Sequence, residues 1–297
     1  MRINPNITSD ILNAISQAEL QQQKAVQEVA TGKRVNVPSD DPAAAAEMVQ
    51  NLALSSQTDQ YLQNTSSVEG LLQTADSALS SVVTSLNQAI GLGVQGSTGT
   101  LSSSNRQAIV EQLQGVFAQV VQLANSSYEG SYIFGGTATT APPYAPDPTQ
   151  TDGVTYNGNT GVNSVDIANG RSIQINVPGS QIFQAAGGDV MGSLQQLITA
   201  LQSGNTTASG TATTQLRTAM DSLSQQRVFY GNAINQLTSN QSFLQQEKVN
   251  LQTQQNDLVG IDPAQAATDL SQAEMAYNSG LAAAAKVLPP SLMDYLK

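Results

Sequence analysis

The stretch TGKRVNVPSDDP, residues 31–42, decides the fold because it separates two segments of heptad spacing. Gly32 and Pro38 end regular structure within it. Asp41 can then cap a new helix whose first residue is Pro42, a position where proline's missing N–H costs nothing. Upstream, small and apolar residues recur at steps of four and three, as a helix seam requires: Ile11, Ile15, Ala18, Gln22, Ala25 and Val29.

The same start signal recurs near the other end of the chain, at Asp262 and Pro263. We predict that it opens a last helix with Asp262 as its cap. One stripe of that helix carries Ala267, Leu270, Tyr277, Leu281, Ala284 and Leu288.

The segments between these two signals predict long helices. One begins at Pro42, keeps heptad register from Leu54 to Ala89 and is expected to stop at GLGVQGSTGT, residues 91–100. Another begins near Ser102, and a further helix over 189–204 is expected to end in a flexible run, residues 204–214. The longest series follows: Leu216, Met220, Leu223, Arg227, Tyr230, Ile234, Leu237, Gln241, Leu244, Lys248, Leu251, Gln255 and Leu258.

The period changes over residues 131–190, where a Pro/Gly/Thr-rich run is followed by short alternating segments. In VDIANGRSIQINV, alternation lies on both sides of Asn169-Gly170, a strong hairpin signal. We predict a small β-rich insert between helices.

The predicted fold is therefore mainly α with a small β insert. The N- and C-terminal arms would form a long antiparallel helical bundle, with the insert at its far end. The expected parts are a terminal helical pair that is disordered in the monomer, a long bundle and the insert: 1–41 with 261–297, 42–130 with 191–260, and 131–190.

Composition excludes several classes of function. Eleven Lys and Arg against 22 Asp and Glu give a net charge of −11, with no basic stripe for nucleic acid. Histidine and cysteine are absent, which removes disulfides, the usual zinc ligands and His-based catalysis. No stretch is long and apolar enough to span a bilayer, and the first residues lack the apolar core of a cleaved signal peptide.

Three candidate sites favour a structural interpretation over a chemical one. Gly91, Gly93 and Gly96 match a dinucleotide fingerprint, but they follow a helix rather than a strand, so a helix terminator is favoured. Asp147 and Asp152 lack the dense ligand pattern of a calcium loop and fit a surface turn. Arg227 fits a hydrogen bond on the helix seam. We predict no catalytic residue, metal or cofactor.

The low charge, 11% of residues, suggests that the helix faces pack against identical copies. Amides and hydroxyls donate and accept, whereas like charges on neighbouring copies repel. Drift towards Gln and Ser in a solvated scaffold remains an alternative. Each terminal helix alone buries too little to offset its ordering entropy, so we expect both to order on assembly.

Residues 31–48, TGKRVNVPSDDPAAAAEM, resemble the N-terminal signature of flagellar hook-associated proteins of the flagellin superfamily. QQRVFYGNAINQL, residues 225–237, is similar to a pattern that they share with flagellin. Residues 268–296, ending in SLMDYL, look like the family's C-terminal helix. GSYIFGG, residues 130–136, resembles the matching segment of its hook–filament junction members.

The resemblance implies a ring of subunits between hook-associated protein 1 and the flagellin filament. It also implies an extracellular location reached through the flagellar export channel, without a cleaved signal and with an export chaperone. Flagellin itself is the nearest alternative, and a cytoplasmic coiled-coil scaffold or an adhesin stalk is a third. The terminal stripes would form the core between subunits.

Overall fold

The computed structural model describes residues 7–287 and confirms a mainly helical chain with small antiparallel strands. The helices are α1 (Ile7–Thr31), α2 (Pro42–Gly96), α3 (Ser103–Ala124), α4 (Gly179–Phe183), α5 (Val190–Gln202), α6 (Thr206–Val259) and α7 (Pro263–Val287). Helix α3 is capped by Ser102, whose side chain accepts from Asn105 N, and α5 by Asp189, which accepts from Gly192 N.

The strands pair as separate two-stranded hairpins. They are β1 (Ser127–Tyr128) with β2 (Ser131–Tyr132), β3 (Tyr144–Pro146) with β4 (Val154–Tyr156), β5 (Ser164–Ala168) with β6 (Arg171–Gln174), and β7 (Gln184–Ala185) with β8 (Gly188–Asp189). The predicted hairpin at Asn169-Gly170 is confirmed: Ala168 pairs with Arg171, and Gly170 has φ +69°. The first hairpin begins four residues earlier than expected, at Ser127 rather than Ser131.

The described residues divide into two compact units, a terminal unit (7–57 with 246–287) and a middle unit (58–245). Helices α2 and α6 contribute residues to each. These borders differ from the expected three-part division, which remains a prediction.

In the middle unit, α2 and α6 pair antiparallel. Asp76 of α2 meets Arg227 of α6, while Thr65, earlier on α2, meets Asn240, later on α6. The α2 seam follows the predicted heptads, since Thr58, Thr65, Val68, Leu72, Ala75, Leu79, Val82, Leu86 and Ala89 are all buried. Leu54 and Tyr61 are exceptions: Leu54 is exposed, with Asn51 buried instead, and Tyr61 is only half-buried.

The α6 seam was predicted correctly at only one of its two alternating positions. The series from Leu216 to Leu251 at seven-residue steps is buried, as expected. The intervening position lies one residue earlier than predicted: Ala219, Ala233 and Asn240 are buried rather than Met220, Ile234 and Gln241. Residues of the hairpins cover two of these positions: a Cβ at Gly188 would lie 3.8 Å from Ala219 Cα, and Asn240 Nδ2 donates to Ile167 O at 2.8 Å.

One predicted helix end and one predicted flexible run are wrong. Helix α2 continues through residues 91–96 instead of stopping. A Cβ at Gly93 would lie 2.5 Å from Thr213 Oγ1 and 3.0 Å from Leu197 Cδ2. This glycine therefore lets side chains of α5 and α6 pack closely against α2. The run at 204–214 is also helical from Thr206, because Asn205 Oδ1 accepts a hydrogen bond from Ala208 N.

The hairpins of the middle unit carry an aromatic core. Phe134 and Phe183 meet edge to face with ring centroids 5.3 Å apart, and Tyr144 meets Phe183 at 5.7 Å. Helix α4, which the sequence did not predict, supplies Phe183. The middle unit therefore has a continuous core of its own.

Candidate assembly interface

The two turns that begin at Gly32 and Gly260 organise the terminal unit. Gly32 has φ +68°, a conformation that ends α1 and that other residues adopt with strain. Asp41 Oδ1 accepts from Ala44 N at 3.1 Å, and α2 begins at Pro42. Asp262 Oδ1 accepts from Ala264 N at 2.8 Å, and α7 begins at Pro263. In each Asp-Pro pair the aspartate thus caps the first turn, accepting from the N–H three residues on at Asp41 and two residues on at Asp262.

Backbone hydrogen bonds tie these two turns together. Arg34 N donates to Val259 O at 2.7 Å, and Ile261 N donates to Gly32 O at 3.3 Å. Lys33 and Gly260 form an isolated antiparallel bridge between them. Val35, Ala44 and Val259 are buried beneath the bridge, with Ala45, Met48 and Leu258 packed around them. We call this pair of turns, 32–41 and 259–262, the joint.

Two adjacent carboxylates of the joint form ion pairs with different cations. Lys24 Nζ of α1 lies 3.3 Å from Asp40 Oδ1, and the Arg34 guanidinium lies 3.1 Å from Asp41 Oδ2. Hydrogen bonds from Val37 N and Asn36 N lower the pKa of Asp40, and Lys24 adds to this. The pKa of Asp41 is lowered by the hydrogen bond from Ala44 N and then by Arg34. Both carboxylates are therefore held in the charged form that caps and pairs require.

Beyond the joint, α1 and α7 pair antiparallel. A Cβ at Gly280 would lie 3.5 Å from Ile15 Cγ1, and Lys24, Ala25, Asp269 and Ala273 line one groove between the helices. The seam of α1 consists of Ile11, Ile15, Ala18, Gln22, Ala25 and Glu28, and that of α7 of Ala266, Leu270, Ala273, Tyr277, Gly280 and Ala284. Of these twelve, only Ala25, Ala266 and Ala284 are buried.

The structure brings most of the predicted interface residues onto this seam. Ile11, Ile15, Ala18, Leu270 and Tyr277 are half-buried there, and Ala284 is buried. Val29 and Leu281 are instead off the seam, each 43% exposed, because the heptad positions fall at Glu28 and Gly280. Leu288 lies outside the described residues.

Sequence reasoning missed Ala266, Ala273 and Gly280 on the seam, together with the contacts that link the two turns of the joint. Spacing could have found the first three, since they complete a series of four- and three-residue steps with Leu270 and Tyr277. Small side chains at these positions let two helices approach closely. The contacts between the two turns had no such signal, because they link residues more than 200 positions apart.

The other candidate site residues, Arg227, Asp147 and Asp152, form hydrogen bonds with residues of the same chain. Arg227 Nε donates to Asp76 Oδ1 at 2.8 Å, and this hydrogen bond raises the pKa of the guanidinium. Asp147 accepts from Thr149 N, Thr149 Oγ1 and Thr155 Oγ1, which lowers its pKa to about 2. Asp152 accepts from Val154 N and Gln184 Nε2. Both carboxylates thus organise turns.

Across residues 7–287, no group of three carboxylate, imidazole or thiolate side chains is placed to hold a metal ion. Within the same described part of the chain, no helix combines the length and apolarity that a bilayer span requires.

Two family models match the chain. That of the bacterial flagellin N-terminal helical region covers residues 3–139, and that of the C-terminal helical region covers residues 213–296. Together they include α1–α3, α7 and nearly all of α6, and leave most of the β hairpins outside.

Among curated proteins, the chain is 32% identical to flagellar hook-associated protein 3 of Salmonella typhimurium over 175 residues. That match covers 59% of this chain and 54% of the relative. A flagellin of Listeria innocua is 32% identical over 146 residues, 48% of this chain and 50% of the relative. The chain thus spans about half the length of the curated relatives that it matches.

Solved structures show the same fold at lower identity. A putative flagellar hook-associated protein of Vibrio parahaemolyticus superposes with a TM-score of 0.68 at 20% identity, over 74% of this chain and all of that one. FlgL of Bacillus cereus gives 0.61 at 23% identity, over 70% of this chain and 99% of that one.

Proposed function

The chain belongs to the flagellin superfamily, and from this premise we propose that it is a structural subunit of the bacterial flagellum at the hook–filament junction. Its named relatives include hook-associated protein 3 of two enteric bacteria. The proposed role is non-enzymatic: the protein links a hook to a filament by packing against neighbouring subunits.

The incomplete burial of the α1–α7 pair carries this proposal. The two helices cover one stripe of each other, and even that seam is mostly half-buried. Leu12, Leu20 and Met275 are exposed on the same two helices, by 53%, 62% and 62%. An apolar surface left open on a helical pair favours burial against further helices.

We assign the inter-subunit core to the predicted residues on the α1–α7 seam and to those that lie off it. Ile11, Ile15, Ala18, Leu270, Tyr277 and Ala284 would hold the two helices together, and their half-exposed edges would meet a neighbour. Val29 and Leu281, which point away from the seam, would contact the neighbour directly, and the proposed core extends to Leu288. In this arrangement each copy completes the burial of the next.

The proposed surface is largely uncharged. The described part of α1 carries Asp10, Glu19, Lys24 and Glu28, and only the last two lie at the joint end. Uncharged packing surfaces are insensitive to screening. Assembly should therefore persist in moderate salt, and disassembly at a few hundred millimolar salt would argue against this surface.

The partners proposed for the subunit are further copies of itself in a ring, hook-associated protein 1 on one side and flagellin on the other. We place it outside the cell, exported through the flagellar channel without a cleaved signal peptide and escorted by a chaperone. Nucleic acid and membrane lipid are not among the proposed partners, because the chain has a net charge of −11 and scattered cations.

Immunogold labelling of intact flagella tests the role. Antibody raised against the purified chain should label a single point between hook and filament. Label in the cytoplasm would contradict the proposal and favour a coiled-coil scaffold, and label on a non-flagellar surface structure would favour an adhesin stalk.

Flagellin is the second candidate, because two curated relatives at the same identity are flagellins. In that case gold particles would run along the whole filament. Proline on both sides of the aspartates in VPSDDP and the SLMDYLK ending favour the junction role, since both depart from the usual flagellin pattern.

We also propose that the terminal helices are mobile in the free monomer and order on assembly. Limited proteolysis of the monomer should trim both ends rapidly and leave a resistant fragment containing the middle unit, 58–245. The same protease applied to assembled subunits is the control. Ends that resist cleavage equally in both forms would disprove coupled ordering.

A further inference from the structure

Arg34 satisfies two helix ends that come from opposite halves of the chain. Its backbone N donates to Val259 O, and its guanidinium donates to Leu258 O at 3.2 Å and to Asp41 Oδ2 at 3.1 Å. Val259 is the last residue of α6, and Asp41 is the cap of α2. We propose that Arg34 is a shared cap that holds α1 and α7 paired with each other, so that both helices become free together when it is lost.

The physical basis is the unsatisfied backbone at helix ends. The last carbonyls of an α-helix have no partner within it, and the C-terminus carries a partial negative charge. Arg34 covers the carbonyls of Leu258 and Val259 with two different donors. Asp41 covers an N–H at the positive end of α2. The Arg34–Asp41 ion pair therefore joins a C-terminal cap to an N-terminal cap, each with the charge that its helix favours.

The position of Arg34 in the joint explains why one side chain affects both terminal helices. Residue 34 is three positions after the end of α1, and Val259 is four positions before the start of α7. If the guanidinium is removed, Leu258 O loses its partner and Asp41 loses its counter-ion at once. The two turns then separate more easily, which frees both terminal helices rather than one.

The natural absence of cysteine allows a direct measurement in the full-length chain. Ile15→Cys with Gly280→Cys places two thiols across the α1–α7 seam, where a Cβ at 280 lies 3.5 Å from the Ile15 side chain. The equilibrium constant for their disulfide in a glutathione buffer reports the fraction of monomers in which the two mobile helices are paired. Amide hydrogen exchange of α1 and of α7 reports each helix separately.

Two substitutions in this background test the cap, and a third is the control. Arg34→Gln removes both guanidinium contacts. Asp41→Asn removes the ion pair but keeps a good helix cap, so it separates the effect of charge from that of capping. It also tests the proposal if Arg34→Gln disturbs folding. Lys33→Gln removes a neighbouring exposed cation without touching the Leu258 carbonyl.

Arg34→Gln should lower the disulfide equilibrium constant about fivefold, and Asp41→Asn about twofold, as expected for an exposed charge-assisted pair. Exchange should accelerate in α1 and α7 by the same factor, while Lys33→Gln changes neither measurement. An unchanged equilibrium constant in Arg34→Gln, or faster exchange in only one of the two helices, overturns the shared cap.

The use of this cap in assembly rests on the proposed function, but the measurement does not. It is made on soluble monomer and would stand even if immunogold placed the protein elsewhere than the flagellum. If the antibody labels the junction but α1 and α7 exchange independently, the proposed function stands and the shared cap is disproved.

Discussion

The two units of this chain use the same heptad spacing but bury very different side chains. In the middle unit, seam positions hold Leu72, Leu79, Leu216 and Leu223, all with no exposed surface, and α3 and α5 add further layers. In the terminal unit, the α1–α7 seam buries only alanines, and its larger residues are half-exposed. Spacing alone therefore does not determine whether a helical pair is a finished core or half of one.

The largest expected contrast comes from truncating one leucine in each unit. Leu79→Ala should lower the free energy of unfolding by about 2–5 kcal/mol, because it leaves a cavity in a packed core. Leu281→Ala should change it by less than about 0.5 kcal/mol, as exposed substitutions do. Urea denaturation followed by circular dichroism measures both. Equal losses would contradict the contrast between a finished core and an open surface.

Glycines in the last turns of α2 sharpen the contrast within the middle unit. Gly93→Ala should cost about 1–2 kcal/mol, because overpacking against Thr213 and Leu197 outweighs the roughly 1 kcal/mol gain in helix propensity. Gly91→Ala is the matched control, since no atom lies within 4 Å of its Cβ position. It should stabilise the chain. The same urea denaturation measures both variants, and a Gly93→Ala variant as stable as the unaltered chain would refute close packing as the reason for glycine.

A charge on the exposed face of α7 separates folding from assembly. Leu281→Asp should leave the monomer folded, since this side chain lies off the seam. Its incorporation into the flagellar array should fall at least about tenfold, because an unpaired carboxylate is costly in an apolar contact. Leu281→Met is the control that keeps an apolar side chain. Normal incorporation of the aspartate variant, measured by co-purification with flagella, would show that this face is not an interface.

The smallest expected effect concerns the turn after β3. The pKa of Asp147 is lowered to about 2 from 3.8, chiefly by the Thr149 hydroxyl and then by the Thr155 hydroxyl. A lowered folded-state pKa contributes stability above pH 3.8 that is lost as the pH falls towards 2. An NMR titration of the carboxyl measures the shift directly. Thr155→Val should raise this pKa, whereas an ordinary value in the unaltered chain would contradict these hydrogen bonds.

The sequence predicted the long helices, both Asp-Pro starts and the hairpin at Asn169-Gly170, because each depends on residues near one another. It misplaced alternate positions of the α6 seam, because Met220 and Ile234 are more apolar than the alanines that are buried. Hydrophobicity ranks side chains by transfer free energy, whereas burial at these positions depends on which face of α6 the rest of the middle unit covers.

The apolar stripes of α1 and α7 could be predicted from residue spacing, but the contacts between the two turns of the joint could not. Arg34 looks like any exposed cation until the fold brings Leu258 to it. The helix end predicted at Gly91, Gly93 and Gly96 is wrong for a related reason, since only the positions of α5 and α6 show why Gly93 and Gly96 are small.

The pairing of Ile15 with Gly280 also has a consequence for biosynthesis. These residues are 265 positions apart (280 − 15), so the ribosome must complete nearly the whole chain before α1 can meet α7. At roughly 5–20 residues per second, the first helix waits on the order of tens of seconds for the last. Throughout that interval α1 is a single amphipathic segment on a nascent chain, open to any factor that binds such segments.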